Sequence, residues 1–274
     1  MTSSSTKPFR VYGRTSSINT QKVLFVMEEC QQTFTLHHAS KWLGPGQNRY
    51  DDDVKNPDPL TNTPQYLAMT PTGLIPTLEC HDAPNGAIFE SSAIIRYIAR
   101  ISNSLHLLGG PSAEGQAVVD QMVSLLASRR FPAKIIIDNV ARLSPEERSR
   151  EKLVNAFAFT AEIFSIVDQI LCNNKTTYLA GNEMTVADII FSSCVCRWKV
   201  AETEAKLTSE ERSKIKNTPG IDAWFDNICK RPSFIRGMMN PERMHQGLSP
   251  TEILPDWHQM YLSSNNSKRS SSSL

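Results

Sequence analysis

The 274-residue sequence lacks several features that would assign it quickly to a class of protein. It contains no run of about 18 consecutive apolar residues, the length that crosses a membrane as a helix. Its first residues, Met1 to Lys7, are rich in serine and threonine and have no apolar core, so we do not expect them to act as a secretory signal. The 29 basic and 28 acidic residues nearly cancel, which leaves no excess of positive charge for nucleic acid. We therefore expect a cytoplasmic protein that binds neither membrane nor nucleic acid.

Cysteine is present, but in no arrangement that indicates a function. None of the six cysteines forms a Cys-x-x-Cys motif, and none lies at zinc-ligand spacing from histidines. We expect buried, reduced thiols and no metal site. The six are Cys30, Cys80, Cys172, Cys194, Cys196 and Cys229.

The first hundred residues mix strand and helix patterns. An aromatic and β-branched run at 9–12 predicts a strand, and apolar residues at helical spacing over 23–30 predict a helix. Alternating residues at 34–37 predict a second strand. The order strand, helix, strand favours a parallel unit with a right-handed crossover.

A long polar stretch rich in glycine and proline, residues 41 to 64, interrupts this pattern and is predicted to be a loop. Beyond it, short runs at 77–80 and 87–89 predict a hairpin, and a helix begins at Ser91. The predicted order in this α/β domain is therefore βαβ followed by ββα.

Helical periodicity dominates after Ser102, so the α/β domain is followed by an all-α domain. The tail is mainly serine and asparagine, which is typical of disorder. The predicted boundaries are a flexible N-terminus at 1–8, an α/β domain at 9–102, a linker at 103–111, an all-helical domain at 112–261 and a disordered tail at 262–274.

One local pattern in the helical half predicts a helix start. Thr185 and Asp188 have the spacing of a capping box, and Met184 and Ile189 have that of a hydrophobic staple. We interpret Asp188 as a folding residue and not as a catalytic one.

Three segments of the α/β domain could bind an anionic, peptide-like ligand. The first lies between strand and helix at 13–23, where a helix N-terminus stabilises an anion and Ser16 or Ser17 either donates to the ligand or caps the helix. The second is the turn before Pro76. A cis Ile75–Pro76 bond would present the backbone of Ile75 to a peptide, although a plain turn is the alternative.

The third segment is the helix start at Glu90 and Ser91. The hydroxyl and free N–H groups there suit a carboxylate, and Glu90 suits an ammonium group. The alternative is that Ser91 only caps the helix.

Together these segments resemble the glutathione transferase superfamily over roughly Phe9 to Met239. The amino-acid sequence of the first turn is most similar to that of bacterial-type, serine-using members. The resemblance implies a thioredoxin-like first domain, an all-α second domain, glutathione as co-substrate and a homodimer. The motifs that carry it are Ser17-x-Asn19-x-x-Lys22-Val23, Pro71-x-Gly73-x-x-Pro76, Glu90-Ser91-x-Ala93-Ile94 and Thr185-x-x-Asp188.

The resemblance also implies roles for single residues. Ser17 would donate to the glutathione sulfur, with Asn19 as the rival donor. The other implied glutathione contacts are Ser16, Lys41, Ile75, Pro76, Glu90 and Ser91. Leu74 departs from the family, because many members have glutamine or lysine there.

The implied activity is conjugation of glutathione to small hydrophobic electrophiles. Arg129 and Arg130 are candidate walls of the electrophile site, and an ordinary helix surface is the alternative. Two other functions stay open: a glutathione-dependent peroxidase or disulfide reductase, and a non-catalytic glutathione-transferase-like module.

Overall fold

The computed structural model describes residues 8–14, 17–39, 60–128 and 149–239. The predicted loop up to residue 59, the disordered tail and nearly all of the flexible N-terminus lie outside these ranges. The described elements of the first half are β1 (Phe9–Gly13), α1 (Ile18–Glu29), β2 (Phe34–His38), α2 (Pro64–Met69), β3 (Thr77–Glu79), β4 (Ala87–Phe89) and α3 (Ser91–Ile101).

The four strands form one sheet in the order β2-β1-β3-β4. β1 pairs with β2 in parallel, as the strand, helix, strand order predicted. β3 is antiparallel to both β1 and β4, which confirms the predicted hairpin.

The prediction of a loop up to residue 64 was wrong at its end. A 3-10 turn at Leu60–Asn62 precedes α2, a helix of six residues. Thr63 caps α2 by accepting the N–H of Tyr66 at 3.3 Å, and Pro64 occupies the first turn, where its missing N–H costs nothing. A helix of fewer than two turns shows no apolar period, so the proline-rich composition concealed it.

The described part of the second half consists of helices joined by turns and loops. A 3-10 turn at Leu105–Leu108 precedes α4 (Ala113–Ser128). After residue 148 come α5 (Arg150–Asn174), α6 (Val186–Ala205), α7 (Ser209–Ser213), α8 (Pro219–Cys229) and α9 (Pro232–Phe234), followed by a π-helical turn at Ile235–Met239.

α5 is long and apolar enough to cross a membrane by length and composition alone. Half of its most apolar window is buried inside the protein, however, and Phe157, Phe164 and Leu171 belong to the hydrophobic core. The core helix of a soluble protein has the same character, so α5 gives little support to a membrane span.

α1 lies between the two halves of the molecule. Five consecutive residues, Val23 to Met27, are fully buried, because neighbours cover the helix on nearly every side. It packs on α3 of its own domain, and on α6, α9 and the 235–239 turn of the helical half.

The end of the described helical half is fastened to the second half of α1 by charge. Arg231 and Ser233 both bind the carboxylate of Glu29, and Arg236 Nε donates to Glu28 at 2.8 Å. The contact is also close, since a Cβ on Gly237 would lie 2.6 Å from the backbone of Phe25. The two halves are therefore joined directly at this helix.

Asp188 has the structural role that its spacing predicted. Its carboxylate accepts the Thr185 N–H at 2.8 Å and the Thr185 hydroxyl at 3.0 Å, at the start of α6. It also accepts Leu179 N–H and Trp224 Nε1–H, so it joins α6 to the preceding loop and to α8. Asp188 is completely buried, and Met184 and Ile189 lie in the core beside it.

The cysteines are all free thiols, but they are not all buried. Cys196 is buried, and burial raises the pKa of its thiol to about 12. Cys172 is exposed, which contradicts the expectation, because it lies near the end of α5 where that helix meets solvent.

Candidate active site

The three candidate segments meet at one edge of the sheet. β1 ends at Gly13, and its penultimate residue Tyr12 lies opposite Thr77, the first residue of β3. Thr77 in turn lies opposite Phe89, the last residue of β4. The start of α1, the turn before β3 and the start of α3 therefore all leave the sheet at the same edge.

Ser17 is the N-cap of α1 and is half-buried. Its hydroxyl oxygen accepts the N–H of Thr20 at 3.4 Å, and its carbonyl oxygen accepts the N–H of Gln21 at 2.9 Å. The predicted capping role is thus present. A hydroxyl that accepts one hydrogen bond still has its proton to donate, so the cap leaves Ser17 able to bind an anion.

Asn19 lies in the first turn of the same helix and is exposed. Its side-chain oxygen accepts a hydrogen bond from Lys22 Nζ at 2.9 Å. Only its amide N–H groups are left to donate to a ligand.

The Ile75–Pro76 peptide bond is cis, as predicted. Pro76 is buried and Ile75 is half-buried. Among the described residues, the backbone N–H and C=O of Ile75 have no hydrogen-bond partner. Leu74 is 49% exposed beside them, so an apolar side chain faces solvent next to the cis bond.

The turn before β3 is held in place by α2. Tyr66 is fully buried, and its hydroxyl donates to the carbonyl oxygen of Leu74 at 2.8 Å. The same hydroxyl lies 2.9 Å from the hydroxyl of Thr77. Tyr66 therefore fixes both sides of the cis bond, and the missed helix α2 supports the candidate site.

At the third segment, Glu90 is the N-cap of α3 and Ser91 is the first helical residue. The alternative that Ser91 caps the helix was therefore wrong. The hydroxyl of Ser91 and the backbone N–H groups of Ser91 and Ser92 have no partner within the described ranges. Glu90 is exposed and has φ 68°, a backbone angle that non-glycine residues rarely adopt.

Sequence reasoning missed a contact from the helical half to the first turn of α1. Arg197 of α6 donates to the side-chain oxygen of Gln21 at 3.2 Å, and Gln21 is only 5% exposed. The two residues are 176 positions apart, so no local pattern could have shown the contact.

Four of the predicted site residues, namely Ser16, Lys41, Arg129 and Arg130, lie outside the described residues. Within the described ranges, no three His, Cys, Asp or Glu side chains come together as metal ligands would.

Known proteins are similar to this chain in both fold and sequence. The glutathione S-transferase N-terminal domain matches residues 16–101, and the C-terminal domain of the same family matches residues 131–232. The order of the two matched domains agrees with the α/β first half and the helical second half of the structure. The chain therefore belongs to the glutathione S-transferase superfamily.

Individual relatives are distant. The chain is 24% identical to glutathione S-transferase GstB of Escherichia coli (strain K12), over 84% of its own length and 98% of that protein. It is 30% identical to probable elongation factor 1-gamma 1 of Arabidopsis thaliana, over 65% of its own length and 40% of that protein. The theta class glutathione S-transferase of Xanthomonas axonopodis pv. citri, solved with glutathione bound, has a TM-score of 0.67 at 23% identity, covering 86% of this chain and 99% of that one.

Proposed function

We propose that this chain is a glutathione transferase, which activates the thiol of glutathione and conjugates it to a small hydrophobic electrophile. The observation that carries the proposal is the meeting of three segments at one sheet edge, each with donors or acceptors that have no partner among the described residues. The relatives named glutathione S-transferase support an enzyme.

Glutathione is a peptide with charged groups at both ends and a thiol between them. The free backbone groups of Ile75 match its peptide portion, as an added strand would. The free N–H groups and hydroxyl at Ser91 match its γ-glutamyl carboxylate, and Glu90 matches the ammonium group. Ser16, Pro76 and Lys41 complete the proposed binding set.

The start of α1 is the proposed place of the sulfur. A free thiol titrates near pH 8.5, so lowering its pKa by about two units requires about 2.7 kcal/mol of preferential thiolate stabilisation. A hydroxyl hydrogen bond to a charged acceptor contributes about 1.5–3 kcal/mol and a helix N-terminus about 0.3–1 kcal/mol. Together they contribute about 1.8–4 kcal/mol, a range that includes the required value, and the protein group keeps its own proton.

Ser17 is the preferred donor. It is half-buried at the end of the helix axis, whereas Asn19 is exposed and engaged by Lys22. A less solvated donor is stronger, because water competes less for the thiolate. Asn19 remains the rival donor.

The electrophile site is proposed to include Arg129 and Arg130. Dimerisation with a second copy, a cytoplasmic location and the domain boundaries 9–102 and 112–261 are further parts of the proposal.

A second candidate is a non-catalytic binding module. The similarity to elongation factor 1-gamma favours it, although this chain covers only 40% of that protein. A third candidate, a glutathione-dependent peroxidase or disulfide reductase, uses the same site. It is favoured if Asn19 is the donor.

Two measurements test these functions. Retention on immobilised glutathione tests binding, and failure to bind contradicts both enzyme candidates. The wild type, Ser17→Ala and Asn19→Ala are then compared in conjugation of a chlorinated nitrobenzene and in reduction of hydroperoxide and disulfide. We expect Ser17→Ala to lower conjugation by about 10-fold or more, the equivalent of about 1.4 kcal/mol, and Asn19→Ala to lower it less. If neither substitution changes any activity, the assignment of the donor is wrong.

A further inference from the structure

The side chains of the first turn of α1 support that turn only weakly, while its backbone makes the usual helical hydrogen bond from Gln21 N–H to the carbonyl oxygen of Ser17. The Ser17 cap contact to Thr20 is 3.4 Å, which is long for an N–H···O hydrogen bond. The hydroxyl of Thr20 is fully buried and has no partner among the described residues. The side-chain geometry of this turn therefore depends on contacts from outside it.

That contact comes from the helical half. Arg197 donates to the buried side chain of Gln21 at 3.2 Å, and the backbone N–H of Gln21 donates to the carbonyl oxygen of Ser17 at 2.9 Å. These two hydrogen bonds, one to the side chain of Gln21 and one from its backbone, thus link α6 through Gln21 to the residue that is proposed to face the sulfur.

We propose that Arg197 is a positioning residue of the glutathione site, acting on the first turn of α1 through the buried amide of Gln21. This inference rests on the proposed function, because the geometry of Ser17 matters only if a thiol binds there. Arg197 itself does not have to touch glutathione. Its effect is to keep the Ser17 hydroxyl and the free N–H groups of the helix directed at one point, as preorganised donors require.

Ionisable groups from several elements lie near this turn or would contact the same ligand. The experiment therefore has to distinguish an electrostatic effect on the thiol pKa from the positioning effect of Arg197. Arg14 precedes the turn, and Lys22 lies on α1 with its ammonium group on Asn19. The α6 thiol next to Lys22 is Cys194, and burial raises its pKa, so it is uncharged. Glu90 is the acidic group proposed for the same ligand.

Gln21→Met is the variant that separates the two effects. It conserves the size of the side chain and the charge of Arg197, and it removes the amide group, whose oxygen accepts the hydrogen bond from Arg197. Arg197→Gln removes the charge and the guanidinium together. Arg197→Lys keeps a charged donor and should recover part of the loss.

Arg236→Gln is the matched control. Arg236 also joins the helical half to α1, but it binds Glu28, eleven residues beyond Ser17 and about 16 Å along the helix. Its loss should lower stability and leave the first turn unchanged.

The readouts are the pH titration of the thiolate absorbance of bound glutathione and the separate values of kcat and KM. We expect Gln21→Met and Arg197→Gln each to raise the apparent pKa of the bound thiol by about 0.5 unit, which lowers the thiolate fraction about threefold below that pKa. The KM for glutathione should change by less than about twofold, since the binding contacts remain. Arg236→Gln should leave the titration unchanged.

Each other outcome is decisive. If Arg197→Gln raises the apparent pKa of the bound thiol and Gln21→Met does not, the guanidinium acts by its charge alone. This result overturns the positioning role. If Gln21→Met, Arg197→Gln and Arg236→Gln all raise this pKa, the contact between the two domains has loosened in general, and the positioning role is overturned as well. The same conclusion follows if none of the three variants changes the pKa. If the wild type binds no glutathione, or binds it with an ordinary thiol pKa, the proposed function is wrong and the inference fails with it.

Discussion

Replacing Asp188 tests whether its buried carboxylate stabilises the fold by joining α6 to the preceding loop and to α8. Its two carboxylate oxygens have separate duties, since Oδ1 accepts Leu179 N–H at 3.0 Å and Trp224 Nε1–H at 2.8 Å. Oδ2 accepts both the N–H and the hydroxyl of Thr185. Asp188→Ala removes all four hydrogen bonds from a site that has no exposed surface.

The expected cost follows from the donors that are left behind. Three buried N–H groups, those of Leu179, Thr185 and Trp224, lose their acceptor, and each costs about 1–3 kcal/mol when unsatisfied. Part of this is offset, because burial disfavours the charged carboxylate and raises the pKa of Asp188 in the folded protein. We expect Asp188→Ala to lower the free energy of unfolding by about 3 kcal/mol.

Asp188→Asn makes the prediction sharper. Asparagine keeps an oxygen for Leu179 and Trp224 but places an amide NH₂ opposite the Thr185 N–H. Its cost should therefore be about half that of Asp188→Ala.

Urea unfolding, followed by tryptophan fluorescence and circular dichroism, measures these differences. Asp120→Ala is the control, because its side chain is 64% exposed in an ion pair with Arg96, and it should cost less than about 1 kcal/mol. The reasoning is refuted if Asp188→Ala costs no more than Asp120→Ala, or if Asp188→Asn costs as much as Asp188→Ala.

Three further predictions concern other parts of the molecule. Gly237→Ala should lower the free energy of unfolding by about 2 kcal/mol in urea, because the new Cβ would lie 2.6 Å from the backbone of Phe25; unchanged stability contradicts that close contact. Glu90→Gly relieves a backbone at φ 68°, so calorimetry should show weaker glutathione binding while stability is unchanged or higher by about 1 kcal/mol; a loss of stability contradicts the strain. A hydrogen bond from Arg150 lowers the pKa of Glu211 to about 2 in the folded protein, so the contribution of this carboxylate to stability is present above its ordinary pKa of 4.5 and is lost as the pH falls toward 2. The stability difference between wild type and Glu211→Gln should accordingly shrink in acid, and a difference independent of pH rules out this linkage.

The elements that the sequence predicted are those with local patterns. β1, β2, β3 and β4 are short alternating or β-branched runs bounded by turn residues, and α3 has Ile94, Ile95 and Ile98 on one face. The cis bond at Pro76 could be named as a candidate from the sequence, because an X–Pro bond has only a small preference for trans and cis prolines typically lie in tight turns. Such features depend on neighbours in the chain, so sequence reasoning reaches them.

The features that the sequence did not reveal are α2 and contacts between residues that are separated in the chain. α2 is too short to show a helical period of apolar residues. The structural role of Tyr66 is visible only in the fold, where its hydroxyl contacts Leu74 and Thr77. The Arg197–Gln21 contact joins residues of different domains, and a glutamine buried in a helix has no distinguishing pattern. The supports of the candidate site were therefore the least predictable part of it.

Ser17 shows why sequence reasoning left two interpretations of one residue. Helix capping and donation to a sulfur exclude each other only if the serine side chain is treated as a single group that has only one partner. In the structure, capping uses a lone pair of the hydroxyl oxygen, which accepts the N–H of Thr20, and leaves the proton for another partner. The cap also holds the oxygen at the helix N-terminus, where the partial positive charge of α1 favours an anion. The capping role is thus compatible with the proposed role of Ser17 as donor to a thiolate, because one hydroxyl group can do both.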